Sequence, residues 1–150
     1  MTEQTDCSFC KIAQKHYRVF EVYRDDKVMA FLDNGPIRPG HIQIIPLEHY
    51  DYFDDLPLEL ATNIMELGQR LAKALKQITG VERVAFLFTG GDIPHAHAHL
   101  VPMYEKTDIT SRRYILNEDL TFQDRPHPPH DEQLAILKKI KEAMSAEHLR

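Results

Sequence analysis

Gly90-Gly91-Asp92-Ile93-Pro94-His95-Ala96-His97-Ala98-His99-Leu100-Val101-Pro102 is the stretch that decides how the chain is read. Three histidines recur at a spacing of two, separated by small or apolar residues. Successive side chains of a β-strand point to opposite faces, so a strand here places His95, His97 and His99 on one face. Ala96, Ala98 and Leu100 then face the other way, into a core. Pro94 and Pro102 bracket the run, as expected of a residue confined to strand ends and edges. The alternative is a fortuitous repeat of half-exposed strand histidines. Polar rings on one face and very small side chains on the other suit a tight site better.

Outward from this strand, the chain alternates short β segments with one long helix. Residues 7–13 read as a turn into a short helix. Residues 18–24 and 27–33 read as strands joined by a tight turn at Asp25-Asp26, and residues 41–46 as a third strand ended by Pro46. Leu60, Ile64, Leu67, Leu71, Leu75 and Ile78 recur every three or four residues, one apolar stripe along a helix. Pro57 suits its first turn, Asp55 offers a cap, and Gly80 ends it. That stripe is core packing, with no direct role in chemistry. Residues 81–89 form a fourth strand before the histidine strand. Residues 105–130 are polar and poorly periodic, and Asp131 opens a last helix with Leu134, Leu137, Ile140 and Met144 on one face. The predicted class is α+β, an antiparallel sheet of about five strands with one long helix. The chain is expected to be a single domain over 1–150, with a core at about 7–104 and a C-terminal extension carrying a helix over about 105–150.

Composition narrows the partners. At 150 residues, 43% hydrophobic and 27% charged, the chain can bury a sizeable core. A formal net charge of −5 gives no basic field for a nucleic acid. No apolar run approaches the roughly 20 residues of a membrane-spanning helix, and residues 1–6 lack the basic and apolar regions of a signal peptide. A cytoplasmic location is expected. The two cysteines, Cys7 and Cys10, sit as C-x-x-C. In a reducing compartment a structural disulfide is not expected.

The run from His95 to Val101 matches histidine, apolar, histidine, apolar, histidine, apolar, apolar at every position. That pattern resembles the signature of the histidine triad family of nucleotide hydrolases and transferases. The resemblance implies a five-stranded sheet with a long helix, usually paired as a homodimer. It implies that His97 is a nucleophile attacking the α-phosphorus of a purine nucleotide ester, anhydride or phosphoramidate, through a covalent nucleotidyl-imidazole. An imidazole suits this because it is unprotonated near neutral pH and forms an N-phosphoryl adduct. His99, about 6.6 Å further along a strand, is implied to contact the phosphate oxygens or leaving group. The other ring nitrogen of His97 should donate to a carbonyl that the sequence does not identify. Phe31-Leu32-Asp33, followed by Pro36 and Pro39-Gly40-His41, is similar to the family's ribose segment and makes Asp33 the ribose ligand. Phe9, Ile12, Phe31 and Leu32 are candidates to sandwich the base.

C-x-x-C alone is open between a redox pair, a metal site and chance. The redox reading needs a thioredoxin-like βαβ context that this chain lacks. Microbial members similar to this chain carry a zinc ion on a C-x-x-C, a histidine after the third strand and the first triad histidine. The resemblance therefore assigns Cys7, Cys10, His49 and His95 to structural Zn2+.

One segment departs from the pattern. Phe88-Thr89-Gly90-Gly91-Asp92-Ile93-Pro94 is short, with Ile93 and Pro94 where the family places polar groups that hold the α-phosphate. Thr89, or the amides of Gly90 and Gly91, are the substitutes available. Two functions follow: a nucleotide phosphoramidase or dinucleoside polyphosphate hydrolase, or a zinc-stapled nucleotide-binding module with weak or vestigial catalysis. Among the other histidines, His41 opens a strand as a supporting residue. His127 and His130 are read as loop residues, and Arg112-Arg113 as a solvated basic pair.

Overall fold

The structure is a computed structural model that describes residues 6–105, 108–109 and 126–148. Helix α1 (Ser8–Ala13) is followed by strands β1 (Glu21–Arg24), β2 (Val28–Leu32) and β3 (Ile42–Pro46). A 3-10 turn at Phe53–Asp55 leads into α2 (Leu58–Thr79), then β4 (Val84–Phe88), β5 (Ala98–Pro102) and α3 (His130–His148). The five strands form one sheet in the order β1-β2-β3-β5-β4, with every neighbouring pair antiparallel. This is the predicted α+β class.

Strand alternation divides the interior in two. Val28, Ala30 and Leu32 of β2, Ile42 and Ile44 of β3, and Ala98 and Leu100 of β5 point to one side. There they meet Ile64, Leu67, Leu71 and Leu75 of α2, the predicted stripe. Met29, Phe31 and Ile45 point to the other side and pack on Phe9 of α1. Gly80 ends α2 at φ 76°, the left-handed region glycine tolerates, and its N–H donates to the Lys76 carbonyl at 2.9 Å.

Three expectations are corrected. Asp55 does not cap α2; its carboxylate accepts from the Tyr52 N–H at 3.2 Å in the preceding 3-10 turn, and Pro57 stands at the helix start. Helix α3 begins at His130, so that residue is helical, with its ring 5.1 Å from that of Phe20. On α3, Leu134 is exposed, while Gln133, Ile140, Ala143 and Met144 are buried. Gln133 is tolerated there because its amide donates to the Asp33 carbonyl at 3.0 Å. Arg112 and Arg113 lie outside the described residues.

Candidate functional site

The sheet face turned away from α2 carries the polar chemistry. One row crosses it: Phe31 is paired with Gln43, Gln43 with His99, and His99 with Leu87. All four line an open cleft of about 1010 Å³, with Phe9, Ile12, Asp33, His41, Thr89 and His97 also on its walls. That volume is of the order of a small-ligand site. Phe31, Asp33, Thr89, His97 and His99 are thus brought to one place from three separate segments: the end of β2, the turn after β4 and the triad run. Leu32 is not. It lies one residue from Phe31, so the two-residue period of β2 turns it into the α2-side core, where it is 1% exposed.

The triad run is only partly a strand. β5 starts at Ala98, so His95 and His97 precede it. The reason is in the backbone bonds: the Ala96 N–H donates to the Tyr50 carbonyl at 2.7 Å, away from the ladder. Facing still alternates, with Ala96, Ala98 and Leu100 in the α2-side core. The His97 and His99 rings lie 5.0 Å apart, and Phe9 packs edge-on against both His95 and His97.

The hydrogen bonds determine which nitrogen of each ring carries the proton. Nδ1 of His97 lies 2.7 Å from the His95 carbonyl oxygen. A carbonyl only accepts, so Nδ1 is protonated and neutral His97 has its lone pair on Nε2. Nε2 of His95 donates to the Pro46 carbonyl at 3.0 Å, leaving its lone pair on Nδ1. Nε2 of His49 donates to the Asp51 carboxylate at 2.8 Å, again leaving Nδ1.

Those two Nδ1 atoms face the cysteines. Cys7 Sγ lies 3.4 Å from His95 Nδ1, and Cys10 Sγ lies 3.3 Å from His49 Nδ1 and 3.5 Å from His95 Nδ1. All four ligand atoms lie within 4.8 Å of one another. A tetrahedral zinc with ordinary bond lengths separates sulfur from nitrogen by about 3.5 Å, so the donor set fits the ion. Protonation agrees for the imidazole: burial lowers the His95 pKa to about 4, which keeps the ring neutral as a ligand must be. Burial, with Cys7 alongside, raises the Cys10 pKa to about 11. A Cys10 thiol packed this way is a poor thiolate unless a cation sits beside it.

Asp33 is 3% exposed and held from several directions. Its Oδ1 accepts from the Gly35 N–H at 2.8 Å and its Oδ2 from the Gln43 amide at 2.6 Å. These bonds fix the orientation of the carboxylate. Gln43, Asp51 and Gln133 are supporting residues that sequence reasoning missed. For Gln43 the signal was present: one amide inside the apolar strand Ile42-Gln43-Ile44-Ile45. Gln43 Oε1 is buried with no partner among the described residues. Asp33, His41 and His99 form a second cluster of potential metal-binding groups. There His41 Nε2 lies 2.9 Å from His99 Nδ1, the spacing of a shared proton.

A fold with this sheet, this helix and three histidines at a spacing of two, His97 and His99 on the cleft and His95 behind them against the cysteines, defines a class, the histidine triad nucleotide hydrolases and transferases. The HIT domain family matches residues 14–106, and the chain belongs to that family. It is 36% identical over 97 residues to the adenosine 5'-monophosphoramidase of Saccharomyces cerevisiae, covering 64% of this chain and 61% of the relative. It is 30% identical over 127 residues to an adenylylsulfatase of Arabidopsis thaliana, covering 79% and 64%. Among solved structures, a zinc-bound histidine triad family protein from Mycobacterium smegmatis superposes with a TM-score of 0.72. That match is at 21% identity and covers 97% of each chain. Among the described residues, no helix is long and apolar enough to cross a membrane.

Proposed function

We propose that this protein cleaves the bond between the α-phosphorus of a purine nucleotide and its leaving group, as a phosphoramidase or dinucleoside polyphosphate hydrolase. The observation that carries the reading is the 2.7 Å contact from His97 Nδ1 to the His95 carbonyl, which leaves Nε2 as a basic lone pair on a cleft-lining ring. In the first step Nε2 forms a bond to the α-phosphorus, and the leaving group departs with the bonding electron pair. In the second step water displaces His97 and releases the nucleoside monophosphate. Dividing one displacement into two lowers the barrier of each. Asp33 accepts from the ribose hydroxyls, and Phe9, Ile12 and Phe31 form the apolar wall for the base. Thr89 and the Gly90–Gly91 amides face the phosphate, and His99 contacts its oxygens or the leaving group.

Cys7, Cys10, His49 and His95 would hold a structural zinc ion, whose chemistry here is to tie the N-terminus to the triad run. His97 lies outside that shell. The reading includes a homodimer working in the cytoplasm. The named activities of the yeast and Arabidopsis relatives support the bond class. A second reading, a nucleotide-binding module with weak catalysis, is favoured by the cleft loop, where the side chains of Asp92 and Ile93 supply no donor for a phosphate. Turnover of adenosine phosphoramidate by wild type and His97→Ala decides between them. Turnover lost in the folded variant supports the enzyme, whereas binding of adenosine monophosphate without turnover in either protein supports the module.

A further inference from the structure

Gln43 is the one polar side chain of β3, which reads Ile42-Gln43-Ile44-Ile45-Pro46. Ile42 and Ile44 face the α2-side core, so alternation turns Gln43 towards the cleft, where it is 8% exposed. Its Nε2 donates to Oδ2 of Asp33 at 2.6 Å. An ionised carboxylate only accepts, so the amide cannot be reversed: its nitrogen meets Asp33 and Oε1 is the other end. Oε1 is buried, with no hydrogen-bond partner among the described residues. An unmet buried acceptor is destabilising, whereas a methionine of similar length would fill the same space without one. The amide therefore suits a ligand better than it suits the core. A carbonyl oxygen only accepts, so its missing partner is an O–H or N–H that the ligand brings.

We infer that Gln43 is a specificity-determining residue whose Oε1 accepts a hydrogen bond from the 3'-hydroxyl of the ribose, while Asp33 takes the 2'-hydroxyl. This rests on the nucleotide reading above and divides between two residues a diol that one carboxylate would otherwise hold alone. The register supplies the placement. Gln43 is paired with Phe31 on one side and His99 on the other, so the residue between the base wall and the phosphate contact lies under the sugar. Asp33 follows Phe31 by two residues, which keeps it on the base side. The 2'-carbon adjoins the carbon that carries the base, and the 3'-carbon is one bond nearer the phosphate arm. The hydroxyl nearer the base thus falls to Asp33 and the one nearer the phosphate to Gln43. Asp33 is poorly placed to take both, being 3% exposed with the Gly35 N–H on one oxygen and the Gln43 amide on the other. Oε1 is shielded in this conformation, but the last torsion of a glutamine is soft, so a small turn of the amide presents it to the arriving hydroxyl. A sugar without that hydroxyl leaves the acceptor unmet, and this is how the residue discriminates.

The test reads binding, so it does not depend on turnover. Isothermal titration calorimetry on the full chain compares adenosine monophosphate with its 2'-deoxy and 3'-deoxy analogues. In wild type each missing hydroxyl should weaken binding by about 10-fold. In Gln43→Met the 3'-deoxy penalty should largely disappear, and the 2'-deoxy penalty should persist. If Gln43 only positions Asp33, both penalties fall together in that variant, and the inference is overturned. A 3'-deoxy penalty that Gln43→Met keeps in full overturns it as well. A second readout uses wild type alone and stands even if Gln43→Met does not fold. The side-chain carbonyl 13C resonance of Gln43 should move with adenosine monophosphate and with the 2'-deoxy analogue, and stay in place with the 3'-deoxy analogue. An equal shift with all three, or none with any that binds, contradicts the assignment. If no nucleotide binds at all, the nucleotide reading fails and the inference falls with it. Binding that ignores the 3'-hydroxyl removes the inference and leaves that reading intact.

Discussion

His97 Nδ1 and the carbonyl oxygen of His95 lie 2.7 Å apart, so the residue that faces the cysteines also orients the His97 ring. His95 is 0% exposed and makes three kinds of contact: its ring nitrogens face the cysteines and the Pro46 carbonyl, and its backbone carbonyl holds His97. Disturbing the cysteine cluster should therefore reach the cleft through one peptide unit.

The metal prediction follows from that link. Wild type should bind one zinc per chain, and Cys7→Ser or Cys10→Ser should bind markedly less. With zinc at roughly 1,000 times its dissociation constant, binding adds about 4 kcal/mol of stability, so chelation should lower the Tm by many degrees. Elemental analysis and thermal melts check this, and full stoichiometry in Cys7→Ser would remove that ligand from the set.

Acid should destabilise the chelated protein in a defined window. The folded His95 pKa is about 4, below its ordinary value of 6.5. Between those values the unfolded chain binds a proton that the folded chain does not, so stability present above about pH 6.5 is lost as pH falls towards 4. At roughly 1.4 kcal/mol per unit the loss is about 3 kcal/mol. Urea melts across that range measure it, and a flat profile would contradict the burial argument.

Gly68 tests the packing of α2 on the sheet. A Cβ at this position would lie 2.6 Å from Cε2 of Phe86. Gly68→Ala gains about 1 kcal/mol of helix propensity, but overpacking costs about 1–3 kcal/mol. The expected outcome is a net loss of about 1 kcal/mol, read as a lower denaturation midpoint with activity retained.

Asp33→Asn should keep the fold but exchange a pure acceptor for a mixed amide that no longer matches both the Gln43 amide and a diol. The expected effect is a rise in KM for ribonucleotides of about 10-fold or more and a reduced preference over 2'-deoxy analogues. An unchanged ribose preference would remove Asp33 from that role.

Much of this was legible in the chain because the signals are periodic. The α2 stripe and the alternation of β2 and β3 predict which residues fill the core, and Ala96, Ala98 and Leu100 fall where the histidine repeat puts them. Periodicity also predicted too much strand around His95 and His97, because a hydrogen bond from Ala96 to Tyr50 is tertiary and leaves no local trace. Leu32 was misplaced for the opposite reason: a family motif names a segment, whereas strand alternation decides which neighbour faces the cleft. The bond from Gln133 to the Asp33 carbonyl joins residues 100 positions apart, beyond the reach of any sequence window. The Gln43–Asp33 and His49–Asp51 bonds span only 10 and 2 positions, and they escape a sequence reading because spacing alone does not say which polar side chains meet.

The most direct test of the central claim is intact-mass spectrometry of wild type and His97→Ala after rapid quench with adenosine phosphoramidate. The expected result is one adenylyl group added to wild type during turnover, mapped to His97. The variant should show no adduct and a rate lower by on the order of 10⁴ or more. Turnover that persists undiminished in His97→Ala, with no adduct on either protein, would contradict covalent catalysis by His97.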